Sequence, residues 1–180
     1  MKKLVTDTEV QPFGSSKARK DFTEERVAHL TRLCARGFNR SLTRRLVEHG
    51  ISFGQWVFLR ILWNEQGLTQ RDLAERANLT EPTVHTALVG MEQQGLINRF
   101  TKKGNRRKHH VFLTEHGKSL RAVLEPLAIE ANDVALRGLD IEQRNVLRDT
   151  LIKVLENLEQ DEVEAFARGQ RMPPTRGSFT

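Results

Sequence analysis

Residues 69–114, TQRDLAERANLTEPTVHTALVGMEQQGLINRFTKKGNRRKHHVFLT, constrain the fold more than any other stretch. Leu73 and Ala74 give its opening a single apolar edge, as a short amphipathic helix requires, and Ala74 is small enough for a second helix backbone to pass close by. The pattern breaks at Asn78 and Leu79. Val84, Ala87, Leu88 and Met91 then recur at helical intervals. Thr80 is placed to cap this second helix, its hydroxyl accepting an orphan backbone N–H. Pro82 falls in the first turn, where its missing donor costs nothing. Gly95 stops the helix as the residue after its cap. Two strand-like runs follow, 96–101 and 108–114, joined by a turn at Gly104 and Asn105.

Helix, turn, helix and hairpin, in that order, make the outline of a winged helix-turn-helix, a module that reads double-stranded DNA. The polar side of the second helix carries Thr80, Glu81, Pro82, Thr83, His85 and Thr86 near its N-terminal end, where such a helix meets base edges. The charge points the same way. The chain has a net charge of +6 and a pI near 9.9. Between Arg99 and His110 stand six Lys or Arg residues and no acid, which alone equals that net charge. Alone, a basic run is a solvated tail. Bounded by strands and preceded by a helix-turn-helix, it predicts phosphate contacts from Lys102, Lys103, Asn105, Arg106, Arg107 and Lys108.

The rest of the 180 residues supports this module. Residues 1–22 read as a flexible basic arm. Residues 23–50 form an N-terminal dimerisation helix, 51–114 the winged DNA-binding domain, 115–168 two C-terminal dimerisation helices around Gly138, and 169–180 a disordered tail containing Pro173 and Pro174. The fold class is mainly α with a small β wing: a winged helix-turn-helix plus a helical dimerisation layer. A single cysteine, Cys34, excludes an intrachain disulfide and fits a cytoplasmic location. No stretch approaches the roughly 20 apolar residues needed to span a membrane, and the N-terminus lacks the apolar core of a signal peptide.

On the first helix Leu30, Cys34, Phe38, Leu42 and Leu46 repeat every four residues. Arg32, Arg36, Arg40 and Arg44 lie two residues out of phase, about 200° round the helix. Such a stripe is a solvated face, a partner for the acids at 156–164, or a site for an anion. Residues 53–65, with Phe53, Trp56, Val57, Leu59, Ile61, Leu62 and Trp63, are apolar on most sides and belong at the centre. Tryptophans in such a helix are core residues or walls for a ligand ring. Leu120, Leu124 and Leu127, and then Leu147, Leu151, Val154, Leu155 and Leu158, give the last two helices apolar faces, with Pro126 expected to kink the first of them. That is more apolar surface than a monomer of this size needs.

From about residue 24 to 158 the chain resembles the MarR family of transcriptional regulators. The resemblance rests on Gln70, Asp72, Leu73, Ala74, Thr83, Val84, Gly95, Leu96, Ile97 and Arg99, continues through Arg107, Leu113 and Thr114, and ends at Gly117. It implies an obligate, triangular homodimer reading a pseudo-palindromic operator. It also implies repression as the usual mode, and control by a small molecule, often an aromatic acid, bound between the dimer layer and the DNA-binding lobe. The expected effector is an aromatic carboxylate or its coenzyme A thioester, held between the first, second and fifth helices. Trp56 and Trp63 would wall a ring, and Arg36 and Arg40 would meet carboxylate or phosphate. Two positions depart from the family: Asn105 stands where an acid often pairs with the wing arginine, and Thr86 where the recognition helix often has an arginine.

An enzyme is not expected, and neither a cofactor nor a metal. The adjacent His109 and His110 match no metal-ligand spacing, no glycine-rich phosphate loop is present, and the lone Cys34 has no evident base. Cys34 sits on an apolar stripe, which favours a structural role over redox sensing. Two other classes stay open: an architectural DNA-binding protein without an effector, and a winged-helix module that binds proteins.

Overall fold

A computed structural model of the chain describes residues 22–102 and 105–171. The predicted arm, apart from Phe22, and the predicted tail beyond Arg171 lie outside the described residues. The elements, in chain order, are α1 Val27–Val47, α2 Phe53–Asn64, β1 Leu68–Thr69, α3 Gln70–Ala77, α4 Glu81–Gln93, β2 Ile97–Lys102, β3 Asn105–Leu113, α5 Glu115–Ala135 and α6 Ile141–Ala167. The mainly helical fold with a small wing is as expected.

Local chemistry sets most boundaries. α2 starts with a reciprocal cap: Gln55 N–H donates to Ser52 Oγ at 3.2 Å, and Ser52 N–H donates to Gln55 Oε1 at 2.9 Å. Thr69 and Asp72 repeat the device at α3, and Asp140 and Gln143 at α6. α3 ends on Asn78 in the left-handed region, φ 53°, a conformation that asparagine tolerates among non-glycines. Gly95, φ 66°, terminates α4. Two boundaries differ from expectation. α1 begins at Val27 rather than near residue 23; Arg26 at its N-cap offers no capping side chain, and Glu25 N–H closes a turn onto the Phe22 carbonyl instead. Thr80 is the N-cap of α4, but its hydroxyl does not cap; it pairs with the Thr83 hydroxyl at 2.9 Å.

The sheet has three strands in the order β1-β3-β2, all antiparallel. The short β1, which sequence periodicity did not reveal, pairs Leu68 with Val111 and Thr69 with His110. Two residues are too few for an alternating pattern to register. β2 and β3 place Ile97 opposite Leu113 and Arg99 opposite Val111.

Leu59, Leu62, Leu73, Val84, Leu88, Met91, Leu96, Ile97 and Val111 are all essentially inaccessible and form one core under the winged module, joined by Leu46 and Leu124 from α1 and α5. Gly117 fixes the seam between module and α5: a Cβ there would fall on the Leu96 carbonyl oxygen. Around it, the Thr114 hydroxyl donates to the Gly95 carbonyl at 2.6 Å and accepts from Gly117 N–H at 3.0 Å. α5 runs through Pro126 as one helix and meets α1, where Arg45 Nη2 donates to Glu130 Oε1 at 2.8 Å. α6 stands apart. It is 27 residues long and none of them is buried.

Candidate nucleic-acid interface and effector cleft

Val84, Leu88 and Met91 bury one face of α4 completely, so the opposite face must point outward. Thr80, Glu81, Pro82, Thr83, His85 and Thr86 are all exposed there, within the first two turns. Gln70 on α3 braces this end of α4. Its Nε2 donates to the Glu81 carbonyl at 3.2 Å, and its Oε1 lies 3.3 Å from His85 Nδ1. The Thr86 hydroxyl donates to the Pro82 carbonyl at 3.1 Å, within its own helix. The helix N-terminus, its positive dipole end, and these short polar groups share one surface, the arrangement that meets a phosphate backbone and base edges.

The wing lies beyond α4 in sequence. Lys102 is on β2, and Asn105, Arg106, Arg107 and Lys108 are on β3; Lys103 lies outside the described residues. Arg99, the first cation of the run, turns back to α4. Its guanidinium grips Glu92 of α4, with Nε donating to Oε2 at 2.9 Å and Nη2 donating to the same oxygen. That contact holds the Glu92 carboxyl below its ordinary pKa, chiefly through the hydrogen bond from Arg99. One of the six cations is therefore an internal strut between recognition helix and wing. His110 is another strut: its Nδ1–H donates to the Gly67 carbonyl at 2.7 Å, tying β3 to the turn before β1.

A cleft of about 600 Å³ opens between α1, α2 and α5. Phe38, Leu42, Phe53 and Trp56 make its apolar walls, and Asn39, Asn132, Arg60 and Glu125 its polar points. Glu125 is already paired with Arg121 at 3.0 Å. The Arg60 guanidinium lies 5.9 Å from the centre of the Trp56 ring, within cation–π range. Of the four predicted ligand residues, Trp56 alone lines this cleft. Trp63 meets Trp56 edge-on at 5.6 Å, but its Nε1–H donates to the Gly117 carbonyl at 2.9 Å, so it serves the seam with α5. Arg36 and Arg40 are exposed on α1 and are not among the lining residues, because the face of α1 that lines the cleft is the apolar one with Phe38 and Leu42.

The residue that sequence reasoning missed is Arg60. It is the one charged residue in FGQWVFLRILWN, a signal that was available. Cys34 also differs from expectation: its thiol is exposed, because the N-terminal half of α1 finds little of its own chain to pack on. Among the described residues no cluster of His, Cys, Asp or Glu could hold a metal ion, and no helix is long and apolar enough to cross a membrane.

Comparison with known proteins bears on these surfaces. A model of the MarR family matches residues 51–109, which contain the whole helix-turn-helix and most of the wing. The HTH-type transcriptional regulator TtmR of Methylorubrum extorquens (strain PA1) is 26% identical over 144 residues, spanning 80% of this chain and 70% of the relative. The homoprotocatechuate degradative operon repressor of Escherichia coli is 32% identical over 89 residues, 49% of this chain and 58% of the relative. Among solved structures, a MarR family transcriptional regulator from Listeria monocytogenes, complexed with 26mer DNA, matches with a TM-score of 0.68 and 27% identity, covering 83% of this chain and 99% of that one.

Proposed function

Because the chain belongs to the MarR family of DNA-binding transcriptional regulators and is not an enzyme, we propose that it is a cytoplasmic repressor released from its operator by a small aromatic carboxylate. The observation that carries the proposal is the cleft, with a tryptophan wall, an arginine poised over that wall, and a volume of about 600 Å³. An aromatic ring would lie against Trp56 and Phe53 while its carboxylate meets Arg60, whose guanidinium fork suits that anion. A coenzyme A thioester fits less well, since Arg36 and Arg40 do not line the cleft and no second cation beside Arg60 does. The relative named as repressor of an operon degrading homoprotocatechuate, itself an aromatic acid, agrees with this class.

DNA is read by a homodimer, with Thr83 and His85 at base edges and Arg107, Lys102 and their neighbours on phosphates. Two copies of α4 enter successive major grooves about 10 bp apart on one face of a pseudo-palindromic operator. The cleft touches α2, whose capping residue Gln55 donates from Nε2 to Gln94 Oε1 at 2.8 Å, at the C-terminal end of α4. Ligand that shifts the first turn of α2 is thereby felt by the recognition helix. It releases DNA only if it prefers the conformation that cannot match both half-sites; equal affinity for the two shifts nothing.

The test begins with selection of bound sequences from a random DNA pool. Benzoate-like acids and their thioesters are then titrated against the labelled complex, following dissociation and tryptophan fluorescence. Free acids should act, and Arg60→Ala should abolish their effect while leaving DNA affinity intact. If neither class perturbs fluorescence or DNA binding, the effector reading falls and an architectural role without an effector replaces it.

A further inference from the structure

Gln70 decides where one proton sits on the exposed face of the recognition helix. Its Nε2 donates to the Glu81 carbonyl at 3.2 Å, and that carbonyl can only accept. The contact fixes the orientation of the side-chain amide, because a flipped amide would set two acceptors face to face. Oε1 is therefore the atom that lies 3.3 Å from His85 Nδ1. Oε1 can only accept as well, so Nδ1 carries the hydrogen. A neutral imidazole has a single N–H, and Nε2 is left as a bare lone pair.

The placement of the two side chains gives that lone pair a use. Gln70 is half-buried where α3 crosses the start of α4, and His85 is exposed on the outer face of α4. The residue that sets the tautomer thus belongs to the scaffold, and the unprotonated nitrogen belongs to the surface offered to DNA. Among the described residues no second hydrogen bond reaches the His85 ring. One residue on, the Thr86 hydroxyl commits its hydrogen to the Pro82 carbonyl at 3.1 Å and likewise has only lone pairs to offer. In the major groove adenine N6 and cytosine N4 are donors, whereas guanine presents O6 and N7 and thymine presents O4 and a methyl group. A lone pair at Nε2 is matched by the first two bases and opposed by the oxygens of the others.

We infer that Gln70 is a specificity-determining residue: by holding His85 in its Nδ1–H form it makes the ring an acceptor, which selects adenine or cytosine over guanine or thymine at the base it meets. The inference rests on the placement of His85 at base edges proposed above, and adds which bases that ring takes and what decides it. Gln70 acts through His85, as a positioning residue.

The native chain, His85→Ala and Gln70→Met are compared at about pH 8, where imidazole is neutral. Methionine keeps the length of the glutamine side chain and removes both hydrogen-bonding groups; thermal melting establishes that it folds. With histidine nitrogens isotope-labelled, the imidazole resonances missing from His85→Ala identify His85 in the native spectrum. They should show a protonated Nδ1 and a bare Nε2, and in Gln70→Met should move to the Nε2–H form that histidine favours in water. Selection from a random DNA pool is run on all three. One position per half-site, adenine or cytosine for the native chain, should lose its preference in His85→Ala. In Gln70→Met the same position should shift toward guanine or thymine by roughly fivefold or more, the low end of what one base contact discriminates. The other positions should stay as they are. A native His85 protonated at Nε2, or a native preference for guanine or thymine at the His85-dependent position, overturns the inference whatever the variants do. If His85→Ala relaxes a position that Gln70→Met leaves unchanged, Gln70 has no such role while His85 remains a base reader. If His85→Ala alters no position, the placement of His85 falls and this inference with it.

Discussion

The winged module and α6 are built on opposite terms. In the module the apolar faces are covered: Leu59, Leu62, Leu73 and Leu88 are at most 1% exposed. In α6, Leu151, Leu155 and Leu158 are 42, 59 and 57% exposed, and no residue of the helix is buried. Both have regular apolar faces. The difference is that α2, α3, α4, β2, β3 and α5 supply one another's missing surface, whereas nothing among the described residues covers α6. A helix with so large an apolar face left in water marks an interface rather than a surface ornament.

Truncating core and helix in parallel gives the largest expected contrast. Leu59→Ala should cost about 2–5 kcal/mol in denaturant unfolding, the range for a deleted buried side chain. Leu155→Ala, measured below the concentration at which the chain associates, should cost under about 0.5 kcal/mol, as exposed substitutions do, yet should raise the dimer dissociation constant. Equal losses for the two variants would mean that α6 packs on its own module and would erase the contrast.

The next effect sharpens it by asking where DNA recognition resides. Arg107→Ala should weaken binding to every sequence and flatten the salt dependence by roughly one unit. His85→Ala and Thr83→Ala should instead cost on the order of 1–3 kcal/mol of discrimination between specific and random DNA. All three should leave the dimer dissociation constant unchanged. Thr83 shares a hydrogen bond with Thr80, so its melting temperature is measured alongside. Full discrimination in both helix variants would remove the exposed face of α4 from base reading.

The smallest effect concerns the strut between α4 and the wing. Glu92 titrates below its ordinary value because of Arg99. A depressed carboxyl contributes its stability above the unfolded pKa, about 4.3, and loses it as pH falls through the lower folded value. With side chains 38 and 22% exposed, the pair is partly screened and is worth roughly 0.5–1 kcal/mol. Glu92→Gln should therefore lower stability at pH 7 by that amount and flatten its decline below about pH 4. Parallel acid unfolding curves for variant and parent would show that the strut carries no stability.

Much of this was legible in residue order. The helix-turn-helix could be read because its signals are local: an apolar edge at Leu73 and Ala74, a break at Asn78, Pro82 in a first turn and Gly95 past a last one. Each acts within about one helical turn, so sequence spacing and spatial spacing coincide. β1 was not legible, since two residues carry no period and its identity as a strand comes wholly from Val111 and His110 across the sheet. The capping hydroxyl of Thr80 went elsewhere for a similar reason, because Thr83 offered it a side-chain partner on the first turn.

The sequence by itself determined the helices, the basic hairpin and the apolar stripes, including the two stripes of opposite character on α1. Tertiary structure alone decided which charges are free to act. Arg99, one of six cations in an acid-free run, is committed to Glu92 seven residues earlier, while Arg60, the one charge in an otherwise uncharged helix, stands over the Trp56 ring and lines the cleft. Composition counts charges without regard to neighbours. Electrostatic interaction depends on distance and burial, and those exist only after the chain has brought α2, α4 and the wing together.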